Sequence, residues 1–427
     1  MLCRTKSFSV GFAVIALCAL IFTVFNTGAA AAADAKTLKL ALIAPLTGAA
    51  ARSGEEIRNG ADLAFSEIGY KVGDYKIEFV YVDSESDAEK AARAYERAIT
   101  QDGVVTGLLN WHSWVSVSCM ELSAKYKVPH FFGFGAGQEI NDKYRRDPEK
   151  YKYWVGKGWP LPSKLITGYV ETIRDAINSG KWTPRNKNFA VYGVDQDWGR
   201  MFGASIKEAF EAAGWTCVAE DWVPVGETEF YPLLNKIKSR NVSLIVGTIS
   251  DPPSAAAIIK QSKEINLPAM MILDGLGWVG EWYDLAGDSA NYVIDQIPGF
   301  STATSKKFVE DFKAKYNIDP GPSTAGMSYD LAKFFIEVLK TTLADYGEIT
   351  SETVMKTAEE KVITGKLTYK DGVVHKEYKY TPDNFPDLEV GENYYIFPCV
   401  QYMDGNMVSV WPSSQKNGEL EIPDYVK

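Results

Sequence analysis

The chain has 427 residues, 46% of them hydrophobic and 23% charged, with a formal net charge of −10. Such a length calls for more than one hydrophobic core, and an acidic chain without basic clusters excludes nucleic acid as a natural partner. Three histidines, with no C-x-x-C or H-x-x-x-H spacing, give no metal-site signature, and no cofactor is expected.

The first segment reads as a cleaved leader. Arg4 and Lys6 precede the apolar "FSVGFAVIALCALIFTVF", and "NTGAAAAADAK" supplies small residues for cleavage, the pattern of a secretory signal peptide over residues 1–33. Cys18 follows Leu17, where a lipid-attachment motif has Gly or Ala, so a soluble extracytoplasmic chain is expected rather than an anchored one. No later stretch is apolar over the ~20 residues that a spanning helix needs. Cys119, Cys217 and Cys399 remain, an odd count whose spacing selects no pair.

Strands and helices then alternate. "LKLALIAPL" reads as a buried strand and "EEIRNGADLAFSEI" as an amphipathic helix. "KIEFVYVDSES" is the next strand, and "DAEKAARAYERAITQD" the next helix, capped by Asp87. "GVVTGLL", a strand, leads into the helical "VSCMELSAKYK" and the strand "VPHFFGFG". An irregular, Lys- and aromatic-rich passage over 141–162 follows. The rhythm restarts with the helix "LITGYVETIRDAINSG", the strand "NFAVYGVD" and the helix "GRMFGASIKEAFEAAG", stopped by Gly214. It runs on through "TCVAEDWVPV", "EFYPLLNKIKSRN", "VSLIVGTIS", "PSAAAIIKQSKEIN" and "AMMILDG". Apolar strands alternating with amphipathic helices mean parallel sheets covered on both faces. Two series imply an α/β fold of two doubly wound, mainly parallel-sheet lobes, and the interruption counts against a single eight-fold barrel. In the tail, Asp371-Gly372 and Asp404-Gly405 signal hairpins, read as antiparallel strands at a sheet edge or near the hinge.

In open parallel sheets, ligands bind beyond the carboxyl ends of strands, where helix N-termini offer free N–H groups. Here those ends are "PLTGAAARSG", "NWHSWVS", "FGAGQE", "VDQDWGR", "ISDPPS" and "LDGLGW". Their hydroxyls suit a carboxylate, an acid such as Asp274 suits an ammonium, and indole faces suit an apolar body. Trp111, Trp114, Trp159 and Trp278 are wall candidates, each also readable as core packing. His112 as a catalytic base needs a partnered nucleophile, and no G-x-S-x-G elbow is present. "GFGAG" lacks dinucleotide spacing.

Taken in order, "LKLALIAPLTG", "NGADLAFSEI", "DQDWGR", "GETEFYPLLNKIK" and "LDGLGW" make the mature chain resemble a type I periplasmic solute-binding protein of ABC importers, in the leucine/isoleucine/valine-binding subgroup. The resemblance implies two lobes joined by a three-segment hinge, a ligand held between them, no catalysis, and a monomer serving a membrane permease. It assigns residues 36–158 and 297–365 to the N-terminal lobe, and 159–296 and 366–427 to the C-terminal lobe. It places the carboxylate-binding hydroxyl on Ser113, further contacts on Gly135, Ala136 and Gly137, and the hinge-side aromatic on Trp198. The ammonium acceptor falls on Asp274, and the residue facing the side chain on Ser53. Gly137 stands where the family has Thr, and Asp251 or Pro252 where it has an aromatic. The expected solute is a neutral, branched-chain or aromatic amino acid. The alternative is an aromatic carboxylate or amide, and a sensing domain or a secreted hydrolase ranks below both.

Overall fold

In the computed structural model, residues 36–300, 302–391 and 393–426 are described. The expected leader, with Cys18, lies outside them. β1 (Lys36–Ala44), β2 (Lys71–Val72), β3 (Tyr75–Asp83), β4 (Thr106–Leu108), β5 (His130–Gly133) and β6 (Trp154–Lys157) form the first sheet, in the order β2-β3-β1-β4-β5-β6. All neighbours are parallel except the β2–β3 hairpin. Leu40, Leu42 and Ile43 are buried on both faces of β1, which is why that strand reads as an unbroken apolar run.

Helices α1 (Ala51–Ser66), α2 (Ala88–Arg97) and α3 (Ser113–Tyr126) connect these strands, and α4 (Gln138–Arg146) and α5 (Pro148–Tyr151) precede β6. Asp87 caps α2 as expected, accepting from the Lys90 amide at 2.8 Å. The passage read as irregular thus holds two short helices and an edge strand. "WVGK" is too brief for periodicity to mark.

In the second lobe, α6 (Thr167–Asn178), β7 (Asn188–Val194), α7 (Asp197–Ala212), β8 (Thr216–Val223), α8 (Tyr231–Ser239), β9 (Leu244–Thr248), α9 (Pro252–Glu264), β10 (Met270–Asp274), α10 (Trp282–Ala286) and β11 (Ile294–Gln296) follow. The five strands are parallel in the order β11-β10-β9-β7-β8. Gly214 stops α7 with φ +83°, a conformation glycine adopts without cost.

The chain then returns to the first lobe as α11 (Ser305–Tyr316), α12 (Met327–Tyr346) and α13 (Ser351–Thr357), with α12 lying along α1. β12 (Tyr369–Lys370) and β13 (Glu377–Tyr378) form the first tail hairpin. β14 (Cys399–Met403) and β15 (Asn406–Trp411) form the second, added antiparallel to the β11 edge of the second sheet. The chain therefore crosses between lobes after β6, after β11 and before β14.

The lobe boundary differs from the expected one. Residues 366–390, assigned by sequence to the second lobe, fasten to the first. Asp330 on α12 accepts from the Val373 amide at 2.7 Å, the Val374 amide at 3.0 Å and the Tyr378 hydroxyl at 2.8 Å. Asp387 pairs with Lys157 of β6 at 2.7 Å. Asp330 and Lys157 are fully buried, and burial is tolerable only when such groups find partners, which this strap supplies.

Candidate ligand cavity between the lobes

The carboxyl ends of the central strands of both sheets open into one small, partly open cavity. The first lobe contributes Trp111, His112, Ser113 and Trp114 around the start of α3, with Phe134 and Ala136 after β5. The second contributes Trp198 in the first turn of α7, Ser250 after β9 and Trp278 after β10, while Trp159 stands on the first crossing. These positions follow β4 and β5 in one sheet and β7, β9 and β10 in the other, beside the points between β1 and β4 and between β7 and β9 where the strand order reverses and parallel sheets form their crevices. Trp278 is central: its ring centroid lies 5.3 Å from Trp111, 5.9 Å from Trp159 and 6.3 Å from Trp198. The steep interplanar angles, 83° and 73° for the first two, set a positive ring edge against a negative face. No Asp, Glu, Lys or Arg belongs to these walls.

The polar atoms divide into used and unused. Trp114 Nε1 donates to the Ser86 carbonyl at 3.1 Å, and Trp198 Nε1 to the Thr248 hydroxyl at 2.9 Å. Trp159 Nε1, Trp278 Nε1, Ser250 Oγ and both ring nitrogens of His112 have no hydrogen-bond partner among the described residues. Ser113 Oγ accepts from the Ala136 amide at 3.1 Å and the Gly137 amide at 3.0 Å, which occupies its lone pairs and leaves its own proton to donate. His112 stacks on Trp114 at 4.3 Å, and burial pushes its pKa down to about 3, so the imidazole is neutral with one N–H to offer. The cavity thus combines aromatic walls with hydrogen-bond donors. Each such donor costs about 1–3 kcal/mol if left unpaired. His112 and Ser113 are not paired as base and nucleophile.

Of the residues singled out by sequence, Trp111, Ser113, Trp114, Ala136, Trp159, Trp198 and Trp278 come together at this cavity. Ser53, Gly135, Gly137, Asp251 and Asp274 are not among its walls. Ser53 is buried within α1. Gly135 packs against α3, where a Cβ would meet Ser116 Oγ at 2.0 Å, and the Gly137 amide serves Ser113. Asp251 is buried before α9 and accepts from the Gly226 amide at 3.3 Å. Phe134 and Ser250 were not singled out. Ser250 lies in the quoted strand end "ISDPPS", and that position was its only signal.

Asp274 sits behind the wall. Its Oδ2 accepts from the Thr248 hydroxyl at 3.0 Å and its Oδ1 from Tyr169 at 3.0 Å. Burial first, and then the neighbouring Asp295 carboxylate, hold its carboxyl well above the ordinary range. Asp295 in turn accepts from the Gly277 amide at 3.0 Å and the Tyr402 hydroxyl at 2.6 Å. A relay therefore runs from Trp198 through Thr248, Asp274, Tyr169 and Asp295 to the loop bearing Trp278. Asp274, the acid expected to receive an ammonium group, is joined through this relay to Trp198 and to the Trp278 loop, and it lines an adjoining cavity with Trp159 and Trp198.

A family profile for periplasmic binding proteins matches residues 37–385. The leucine-, isoleucine-, valine-, threonine- and alanine-binding protein of Pseudomonas aeruginosa is 23% identical over 81% of this chain and 89% of its own. Among solved structures, an ABC-transporter solute-binding protein of R. palustris in complex with benzoate superimposes with a TM-score of 0.71 at 20% identity, covering 88% of this chain and 95% of that one. The branched-chain amino acid transporter substrate-binding protein of Streptococcus pneumoniae in complex with isoleucine gives 0.66 at 20% identity, covering 87% and 98%.

Proposed function

Because the chain belongs to the periplasmic binding protein family, we propose that it captures a small amphiphilic solute between its lobes, outside the cytoplasm, and delivers it to the permease of an ABC importer. It acts as a monomeric carrier without catalysis. The solute class supported best is an aromatic carboxylate or amide, the second of the two sequence expectations. One observation carries this choice: indole walls present unpaired donors, while the acid needed for an ammonium group lies in an adjoining cavity and already accepts from Thr248 and Tyr169. A flat ring matches the aromatic faces, and its carboxylate or amide oxygen would accept from Ser113, Ser250, His112 and the free indole N–H groups. The benzoate complex of the R. palustris relative is consistent with this chemistry. The names of the amino-acid-binding relatives support the other expectation.

Thermal-shift and calorimetric titration of the mature chain against benzoate, benzamide, leucine and phenylalanine decides between them, since a ligand that binds the folded state raises the melting temperature. Benzoate and benzamide are expected to bind. Binding of the two amino acids alone would refute the aromatic-acid reading. Ester or amide hydrolysis that disappears in Ser113→Ala would refute the carrier reading.

A further inference from the structure

Glu56 lies on α1 of the first lobe, is almost fully buried, and is not part of the cavity walls. Its carboxylate reaches the second lobe. Oε1 accepts from the Gly280 amide at 2.9 Å, two residues beyond the cavity wall Trp278. Oε2 accepts from the Gly321 amide at 2.7 Å and from the Thr324 hydroxyl, both on the segment leading into α12. Thr324 also donates to the Trp278 carbonyl at 2.8 Å. First-lobe groups thus grip the Trp278 loop at two backbone atoms.

The surrounding backbone is shaped for this contact. A Cβ on Gly280 would fall 2.1 Å from the Asp319 carbonyl oxygen, and one on Gly321 would fall 2.5 Å from the Trp278 oxygen and 2.7 Å from Glu56 Oε2. Core packing alone gives no reason for a carboxylate here, because an unpaired buried one is costly. The Thr324 hydroxyl has one proton for two acceptors. Burial pushes the Glu56 carboxyl up to about 7, so a share of molecules carries the extra proton that satisfies the whole group. Nearby, Arg52 pairs with Glu281 at the partly exposed rim, where an ion pair adds little.

We propose that Glu56 is a positioning residue for solute capture, a catch that seats the Trp278 loop against the first lobe and holds the cleft shut. The inference rests on the reading of the cavity as a solute site, although its contacts do not depend on which solute binds. When the lobes part about the hinge, Gly280 and Trp278 leave with the second lobe while Gly321 and Thr324 stay with Glu56, so the grip on the Trp278 loop exists only in the closed form.

The test uses Glu56→Gln in the full mature chain, where the side-chain amide sets a donor against a backbone N–H. Hydrogen–deuterium exchange should accelerate about tenfold in segments 276–284 and 318–326, while β1 and β9 stay protected; a factor of ten corresponds to the loss of one good charged hydrogen bond. Benzoate should dissociate about tenfold faster, with its association rate changed less. Thr324→Val should move the same two segments by a smaller factor, which covers the case in which the first variant fails to fold. Unchanged exchange in those segments overturns the proposal, as does acceleration spread over every strand of both lobes. If the wild-type chain ignores benzoate, the aromatic-acid reading fails, and the exchange data still decide the catch.

Discussion

Replacing Thr248 by valine should loosen the cavity without touching any atom that lines it. In the native structure this hydroxyl accepts from Trp198 Nε1 at 2.9 Å and donates to Asp274 at 3.0 Å, and the residue is fully buried. Valine has nearly the same shape, so packing survives while two buried polar atoms lose their partner. Each orphaned group costs about 1–3 kcal/mol, which puts the destabilisation at roughly 2–6 kcal/mol. For a lobe of this size a change of 1 kcal/mol moves the melting temperature by about 2–4 °C, so a drop of at least about 4 °C is expected in calorimetry. Trp198 would also lose the bond that fixes its ring beside Trp278, and benzoate affinity should fall at least about fivefold, or about 1 kcal/mol. Thr248→Ser restores the hydroxyl and should bind within about a factor of two of the parent. A valine variant that melts and binds as the parent does would refute the relay as the support of the wall.

Trp278→Phe and Trp159→Phe retain an aromatic ring but delete a donor, and titration should show benzoate weakened about fivefold to thirtyfold in each. Asp387→Ala leaves Lys157 charged and buried without its main partner, so urea unfolding should report a loss of about 3–5 kcal/mol, whereas removing the exposed Lys76–Glu78 pair should cost under about 1 kcal/mol. Burial pushes the Asp330 carboxyl up to about 7. The folded chain therefore keeps a proton that an unfolded one, with an ordinary value of about 4, releases. That contribution is complete below pH ~4 and lost as the pH rises through ~7, so Asp330→Asn should flatten the fall in melting temperature over that window. Cys119 and Cys399 are buried thiols, with pKa values raised by that burial, and Cys217 is partly exposed. A disulfide exchange reagent should label Cys217 alone in the native chain.

Much of the architecture was legible because it is written locally. Apolar runs such as "SLIVGT" followed by amphipathic helices demand covered parallel sheets, and Asp371-Gly372 and Asp404-Gly405 mark their turns unaided. The aromatic walls were legible for the same reason, since Trp111, Trp114 and Trp198 stand where strands end and helices begin. What the pattern could not carry was pairing at long range. Asp274 was read as a ligand acid because its position fits one, yet its partners Thr248, Tyr169 and Asp295 come from three other elements. Ser113 was legible as a ligand hydroxyl, but not that its oxygen also ties down the amides of Ala136 and Gly137. Glu56, inside an ordinary amphipathic helix, gave no local sign of reaching another lobe. The strap over 366–390 was misassigned because its anchors, Asp330 and Lys157, are declared only by their burial.

That strap governs the order in which the molecule can become itself during synthesis. The first lobe begins at β1 but cannot neutralise Lys157 until residue 387 has been made, and the second keeps β11 as an open edge until β14 emerges. A nascent chain released before those late segments holds two unfinished halves. Its final stretch is therefore the step that commits both to their native form, and truncation there should be felt at both ends of the molecule.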